Sequence, residues 1–378
     1  MSGAPEIPEA SPGRFLLATT TPGLETVALR ELAELTGRNG WVEHRGLVGL
    51  PGEESEMARV NLCARSIFRV YWVLGRGPVE GLEPLYEQLR ALRFGHLLAP
   101  EQSLAVAVTR RGDHPFNSED IARVAGQAIL DAYRAERGVR PPVDLDAPDV
   151  EFRLEVRDDR FWLGIDTTGR ASLAERGYRR NAHPAALKPP IGYAMVRLAE
   201  WRPDESLLDP MCGSATIPIE AAAYARGELH RRAFAFERFV WHERRWLDEA
   251  RARTLPHDAS LRLRGYEVSP RHLAGARRNV AAAAAPVELL QADATTASLA
   301  ADRLVVNLPY GIRMGSPRKV AALYHALAAN LDRWPWRRLV AATARPKLLV
   351  RAMGRAPARE LEILHGGIYT HLLVFEPA

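Results

Sequence analysis

Cysteine, lysine and long apolar runs are what this sequence has least of. Of its 378 residues only Cys63 and Cys212 are cysteines, one in each half. That excludes a disulfide framework and a cysteine-based metal site, and it fits a reducing, cytoplasmic setting. No apolar run reaches the length of a membrane span, so no membrane association is expected. Residues 1–15 place Glu6, Glu9 and several prolines and glycines ahead of any apolar stretch, unlike a signal peptide. No metal-ligating cluster stands out, and no metal is expected. Lysine is confined to Lys188, Lys319 and Lys347; every other basic residue is arginine.

What remains is ordinary globular composition, 47% hydrophobic and 26% charged. The chain is longer than one core usually organises, so two or three domains are expected. The net charge of +5 is unevenly spread: residues 1–180 carry 23 Arg against 27 Asp and Glu, and residues 181–378 carry 28 basic against 19 acidic residues. The positive field lies on the second half, where it would attract a phosphate backbone.

The rest of the chain is organised around Asp209-Pro210-Met211-Cys212-Gly213-Ser214-Ala215-Thr216. A short apolar run before it, ending at Leu208, reads as a buried parallel strand. The Ala-rich stretch after it, from Ile217 to Arg226, reads as a helix whose first turn tolerates Pro218. Strand, tight turn and helix start leave free N–H groups and a positive dipole end for an anionic or carboxylate-bearing ligand. The small residues Gly213, Ser214 and Ala215 let that ligand lie against the backbone. The dinucleotide spacing G-x-G-x-x-G is missing from this loop, which points to a nucleoside with a short charged tail. A second stretch, Asp302 to Gly311, runs an apolar strand into Asn307-Leu308-Pro309-Tyr310. The Asn307 Oδ1 and a backbone carbonyl can accept hydrogens from an exocyclic amino group, and the Tyr310 ring can stack on a base.

Taken in order, residues 14–74 alternate as β-α-β-β-α-β, a ferredoxin-like unit. Residues 82–166 then read as helix, strand, a helix opening at Ser118, and a hairpin around Asp158-Asp159. Arg231 to Arg253 interleaves arginines with aromatics, either an RNA grip or a helix with an aromatic inner face. Leu261 to Glu267 is a second catalytic-half strand ending in an acid, a position that suits ribose hydroxyls. Val287 to Gln291 is a third, ending at Ala292-Asp293. The strand at Asn307, a fifth at Leu339–Thr343 and a closing antiparallel pair complete a doubly wound α/β sheet.

At the two core stretches the sequence resembles class I S-adenosylmethionine-dependent methyltransferases that act on exocyclic amino groups. Asp209 to Thr216 is similar to the family's cofactor loop, with Ala215 at the place of a second glycine. Asn307 to Tyr310 is similar to its Asn-Pro-Pro-Tyr motif, with Leu308 at the place of the first proline. The middle segment, through Arg110, Arg111, Ser118, Asp120, Arg123 and Gly126, resembles a THUMP RNA-binding module. Arg176-Gly177-Tyr178-Arg179-Arg180, followed by His183 to Lys188, resembles the linker of RNA guanine-N2 methyltransferases. The whole chain is similar to the bacterial and archaeal tRNA guanine-N2 methyltransferases acting on acceptor-stem position 6.

The resemblance implies a ferredoxin-like domain over 1–75, a THUMP domain over 76–170, a linker over 171–188 and a Rossmann-like methyltransferase domain over 189–378. It implies Asn307, Leu308, Pro309 and Tyr310 as the catalytic set, and S-adenosylmethionine as cofactor. Cofactor contacts would come from His183, Pro184, Ala185, Ala186, Leu187, Asp209, Cys212, Gly213, Ser214, Glu267, Ala292, Asp293 and Asn307. RNA contacts would come from Arg110, Arg111, Arg123, Arg179 and Arg180. tRNA is the implied partner and a monomer the expected state. Methylation at tRNA position 10 or of 23S rRNA uses the same build. A DNA adenine-N6 methyltransferase would share the Asn307–Tyr310 chemistry, and a non-catalytic RNA-binding protein would share the fold. An NAD-dependent dehydrogenase lacks support without the glycine fingerprint.

Overall fold

The structure, a computed structural model, describes residues 15–180, 187–252, 260–309 and 317–377. Two seven-stranded sheets organise it. The first half runs β1 (Phe15–Thr20), α1 (Glu25–Thr36), β2 (Trp41–His44), β3 (Leu47–Pro51), α2 (Glu54–Cys63), β4 (Ile67–Pro78), α3 (Leu82–Arg90), β5 (Leu104–Arg111), α4 (Ser118–Arg137), β6 (Val150–Arg157) and β7 (Arg160–Asp166). Its strands lie in the order β2-β3-β1-β4-β7-β6-β5.

The twelve-residue β4 joins the two N-terminal units into one sheet. Leu16–Thr19 of β1 pair with Trp72–Arg69 on one side, and β7 pairs with Tyr71 through Pro78 on the other. Residue 75 lies inside this shared strand. Local signals set the helix ends. Asn117 accepts the N–H groups of Glu119 and Asp120 while Asp120 accepts that of Asn117, which closes the first turn of α4. Gly138, at φ 74°, ends it.

The second half runs α5 (Pro189–Leu198), β8 (Ser206–Asp209), α6 (Thr216–Ala225), α7 (Arg244–Ala252), β9 (Arg262–Tyr266), α8 (Pro270–Ala282), β10 (Val287–Leu290), β11 (Arg303–Asn307), α9 (Pro317–Leu331), β12 (Arg338–Thr343), α10 (Pro346–Met353), β13 (Arg359–His365) and β14 (Ile368–Phe375). Strand order is β10-β9-β8-β11-β12-β14-β13, parallel from β10 to β12, with β14 antiparallel to β12. The order reverses at β8, so a ligand crevice is expected above the carboxyl ends of β8 to β11. Among the described residues no helix is long and apolar enough to cross a membrane.

The Arg- and aromatic-rich segment after α6 belongs to the N-terminal core. Phe234, Phe236, Phe239, Trp246 and Leu247 are buried in one cluster with Met57, Trp72 and Phe152. The arginines Arg231, Arg244, Arg245 and Arg251 remain exposed. Burial of the rings, and not stacking on RNA, explains the aromatic half of that pattern.

Polar contacts fix the halves together. Glu220, on α6, is fully buried. It accepts from Arg65 Nη1 at 3.0 Å, Arg176 Nε at 3.2 Å and Tyr178 Oη at 3.2 Å. Burial and the neighbouring Glu220 push the Tyr178 hydroxyl up, so it stays a donor. Arg197 grips Glu34 through both carboxylate oxygens, at 2.6 and 2.8 Å. At the other side Leu364 N–H donates to Pro22 O at 3.1 Å. Gly23, at φ +99°, comes so close there that a Cβ would sit 1.9 Å from Glu362 O.

Candidate active site

The crevice begins with the loop leaving β8. Gly213 and Ala215 adopt left-handed backbone, φ 54° and 60°. Open space surrounds the place of a Gly213 Cβ. Ala215 is the residue ahead of α6, and for it this conformation costs about 1–2 kcal/mol that glycine would avoid. Its methyl group offsets that cost by packing fully buried against Tyr178, Ile219 and Ala276. The second glycine of the family pattern is thus replaced by a residue that keeps the turn and adds a contact.

The loop is tied to β9. Cys212 N–H donates to Tyr266 O at 2.7 Å, and Gly213 N–H donates to Glu267 Oε2 at 3.1 Å. The other oxygen, Glu267 Oε1, accepts from Ser269 N–H at 2.9 Å. Glu267 is therefore oriented at the strand end with acceptor capacity remaining on both oxygens. Asp209 is 2% exposed and accepts one backbone N–H, from Met211 at 3.1 Å. Burial, with the negative charge of Glu267 added, pushes its carboxyl up to about 8. Burial, Asp209 and Glu267 likewise drive the Cys212 thiol well up, so it is no nucleophile here.

Asn279 on α8, fully buried, was not singled out from the sequence. Its Nδ2 donates to Ser214 O at 3.1 Å and its Oδ1 accepts Arg180 N–H at 3.0 Å. One side chain clamps both the loop and the linker. A lone amide within an Ala-rich helix is the signal that marks it.

Asn307 closes β11, next to β8. Leu308 N–H donates to Ala342 O at 3.0 Å, continuing the ladder with β12, while its side chain is buried in the core. Proline could not make that bond, so Leu308 is held by pairing where the family pattern uses a ring. Pro309 O accepts from Tyr324 Oη at 3.0 Å. Tyr324 Oη meets Thr343 Oγ1 at 2.7 Å, and Arg345 N–H donates to that Oγ1 at 2.8 Å. A chain of donors from α9, the end of β12 and the residue ahead of α10 thus braces the turn.

Beyond β10, Ala292 is half-buried and Asp293 exposed, with Asp293 Oδ1 accepting from Thr295 N–H at 2.8 Å. Leu187 is buried among Ile191 and Met195. Tyr310 and His183 to Ala186 lie outside the described residues. Hydrogen bonds bring Asp209, Cys212, Gly213, Ser214 and Glu267 into one loop assembly. Strand order sets Asn307–Pro309 on one side of it and Ala292–Asp293 on the other. Among the described residues no group of three or more His, Cys, Asp or Glu could hold a metal.

The arginines named for RNA separate. Arg110 Nη1 donates to Gly112 O at 3.0 Å, Arg111 is exposed at the end of β5, and Arg123 pairs with Asp120. Arg179 turns inward, to Leu187 O and to Thr216 Oγ1 at 3.4 Å, tying the linker to the first turn of α6. Arg180 is exposed. Clefts of about 410 and 700 Å³ lie along the junction of the halves, lined by Arg65, Ala223 and Gly227 towards the far end of α6.

A small-residue loop between strand and helix, an acid at the next strand end and an Asn-x-Pro turn beyond define an α/β transferase of the class I methyltransferase type. Comparison with known proteins agrees. Residues 176–373 match the RMKL-like methyltransferase domain, residues 80–166 the THUMP domain and residues 16–71 the RlmL ferredoxin-like domain. The chain belongs to this family of THUMP-bearing, RMKL-like methyltransferases. It is 37% identical, over 95% of its length and 91% of the relative's, to the tRNA (guanine(6)-N2)-methyltransferase of Archaeoglobus fulgidus. To the protein of the same name from Methanocaldococcus jannaschii it is 32% identical, covering 94% of this chain and 97% of that one. Among solved structures, SMU.472 complexed with SAH superposes with a TM-score of 0.86 at 25% identity, covering 98% of this chain and 99% of that one.

Proposed function

We propose that this chain transfers a methyl group from S-adenosylmethionine to the exocyclic N2 of a guanosine in tRNA, at acceptor-stem position 6. The observation that carries the reading is full-length similarity to two tRNA (guanine(6)-N2)-methyltransferases, with all three family segments in order. The loop fits the cofactor on its own terms: an uncovered Gly213, an oriented Glu267 and a buried Asp209 with one hydrogen bond. Asp209, Cys212, Gly213, Ser214, Glu267, Ala292 and Asp293 would hold it, Glu267 accepting ribose hydroxyls. The sulfonium supplies an already activated methyl group.

The residues of this chain then have an orienting task. The guanine amino nitrogen is a poor nucleophile because its lone pair is delocalised into the ring. Asn307 Oδ1 and the Leu308 carbonyl accept its two hydrogens, which draws the nitrogen towards tetrahedral geometry and frees the lone pair. The same two dipoles stabilise positive charge as it develops. Bracing of the turn by Tyr324 and Thr343 keeps those acceptors from reorganising. Tyr310 would stack on the flipped base.

The test is product analysis. Purified protein, labelled S-adenosylmethionine, and tRNA, 23S rRNA and DNA from a source lacking the enzyme are combined, then digested for mass spectrometry. N2-methylguanosine confined to tRNA and mapping to position 6 is expected. Label in N6-methyladenine of DNA, or no label in tRNA, would overturn the reading.

A further inference from the structure

Charge at the helix starts divides the molecule. Each helix of the N-terminal half carries acid in its first turn: Glu25 in α1, Glu54 and Glu56 in α2, Glu83 in α3, Glu119 and Asp120 in α4. That is the arrangement the helix dipole favours. Among the described residues of the catalytic half none of the six α-helices has an acidic first turn. Four of them instead begin with proline beside cations: Lys188-Pro189 at α5, Pro270-Arg271 at α8, Pro317-Arg318-Lys319 at α9 and Arg345-Pro346-Lys347 at α10. All six cations are exposed. Among the described residues none of them pairs with a carboxylate, although arginines elsewhere commonly do. All three lysines of the chain are in this set.

Topology puts these helix starts on the side of the crevice. Lys188 follows Leu187, whose carbonyl is held by Arg179 beside Thr216. Arg271 lies in the first turn of α8, four residues past Glu267. Arg345 N–H is bonded to Thr343, the last residue of β12. Tyr324 reaches Pro309 O, so the first turn of α9, about 7–10 Å further along its axis, rises above the strand ends. Cations at helix starts oppose the dipole and lower stability by tenths of a kcal/mol each. Their gathering on one face is compensated when an anion arrives, and compact ammonium groups suit single phosphates.

We propose that these six cations form a phosphate-holding rim that grips the RNA backbone on either side of the nucleotide entering the pocket. This rests on the RNA-substrate reading above. The rim contacts phosphates and carries no base identity, so it governs affinity and its salt dependence, not which base is chosen.

The test compares Arg318→Ala/Lys319→Ala and Arg345→Ala/Lys347→Ala with Arg333→Ala/Arg337→Ala, exposed arginines ahead of the amino end of β12. Dissociation constants for unmodified tRNA are measured across salt concentrations, with the S-adenosylmethionine Kd as a check on folding. Each rim pair is expected to weaken tRNA binding roughly tenfold near physiological salt and to flatten the log–log salt slope by about 1.4–1.8. The control pair is expected to leave both at wild-type values. A wild-type slope in both rim pairs, or the same loss in the control, would overturn the proposal. Binding is read without turnover. A wild type that held tRNA through the rim yet transferred no methyl would therefore sink the catalytic reading and keep the rim.

Discussion

Asp166 and Asp209 hold the same station in different sheets, the last residue of β7 and of β8, and are equally shut from solvent at 3% and 2% exposure. Burial pushes both carboxyls up. Their neighbours differ. Asp166 accepts from Arg69 at 2.5 Å, Thr168 N–H at 2.8 Å and Gly169 N–H at 2.9 Å. Asp209 accepts one N–H, from Met211, and faces the like charge of Glu267. The first acid is completed by its own fold and simply ends a strand. The second is left incomplete where an external ligand can finish it, and perturbed groups of that kind concentrate at functional sites.

The comparison breaks most visibly where the halves meet. Glu220→Ala removes the acceptor of Arg65 and Arg176 inside the junction, leaving buried cations unpaired. A loss of about 3–5 kcal/mol is expected, read as the shift in a denaturant midpoint. Asp166→Ala orphans two backbone donors and removes the carboxylate partner of Arg69, and about 2–4 kcal/mol should go the same way.

Asp209→Asn should behave oppositely, and with pH. A folded pKa of about 8 lies above the ordinary carboxyl value of 3.8. Below that ordinary value both states are protonated and nothing is lost. As pH rises towards 8 the unfolded chain ionises first, so the ligand-free wild type loses stability, and above 8 the loss is complete. Scanning fluorimetry of ligand-free protein should show Asp209→Asn matching wild type near pH 4 and melting higher at pH 8.5. A flat difference across that range would remove the incomplete-acid description. The smallest effect is expected for Ala215→Gly. It relieves the left-handed strain but loses a packed methyl, so stability should stay within about 1 kcal/mol and cofactor affinity should hold.

Much of this was legible in the sequence because the signals are local. Strand–turn–helix at Asp209, the acid at Glu267 and the Asn307 turn are each written in a few consecutive residues. Helix α10 was not, because Arg345-Pro346 reads as a break until proline is recognised at a helix start. Nor were the sharing of β4 by two units, the partners of Glu220, the Asn279 clamp or the Tyr324–Thr343 brace. Each depends on residues tens to hundreds of positions apart, and only the fold brings those together. Leu308 shows the limit at a single site. It stands where the family pattern has proline, and its N–H supplies a restraint by bonding Ala342 O, a partner the sequence alone does not show.

The most direct test is Asn307→Ala, with S-adenosylmethionine Kd and single-turnover methyl transfer to tRNA measured on the same preparation. The Kd is expected to stay within about threefold of wild type while transfer falls roughly 10²–10³-fold, the loss typical of removing one preorganised charge-stabilising group. Transfer at the wild-type rate with cofactor binding intact would contradict the placement of the amino-group acceptor at the end of β11.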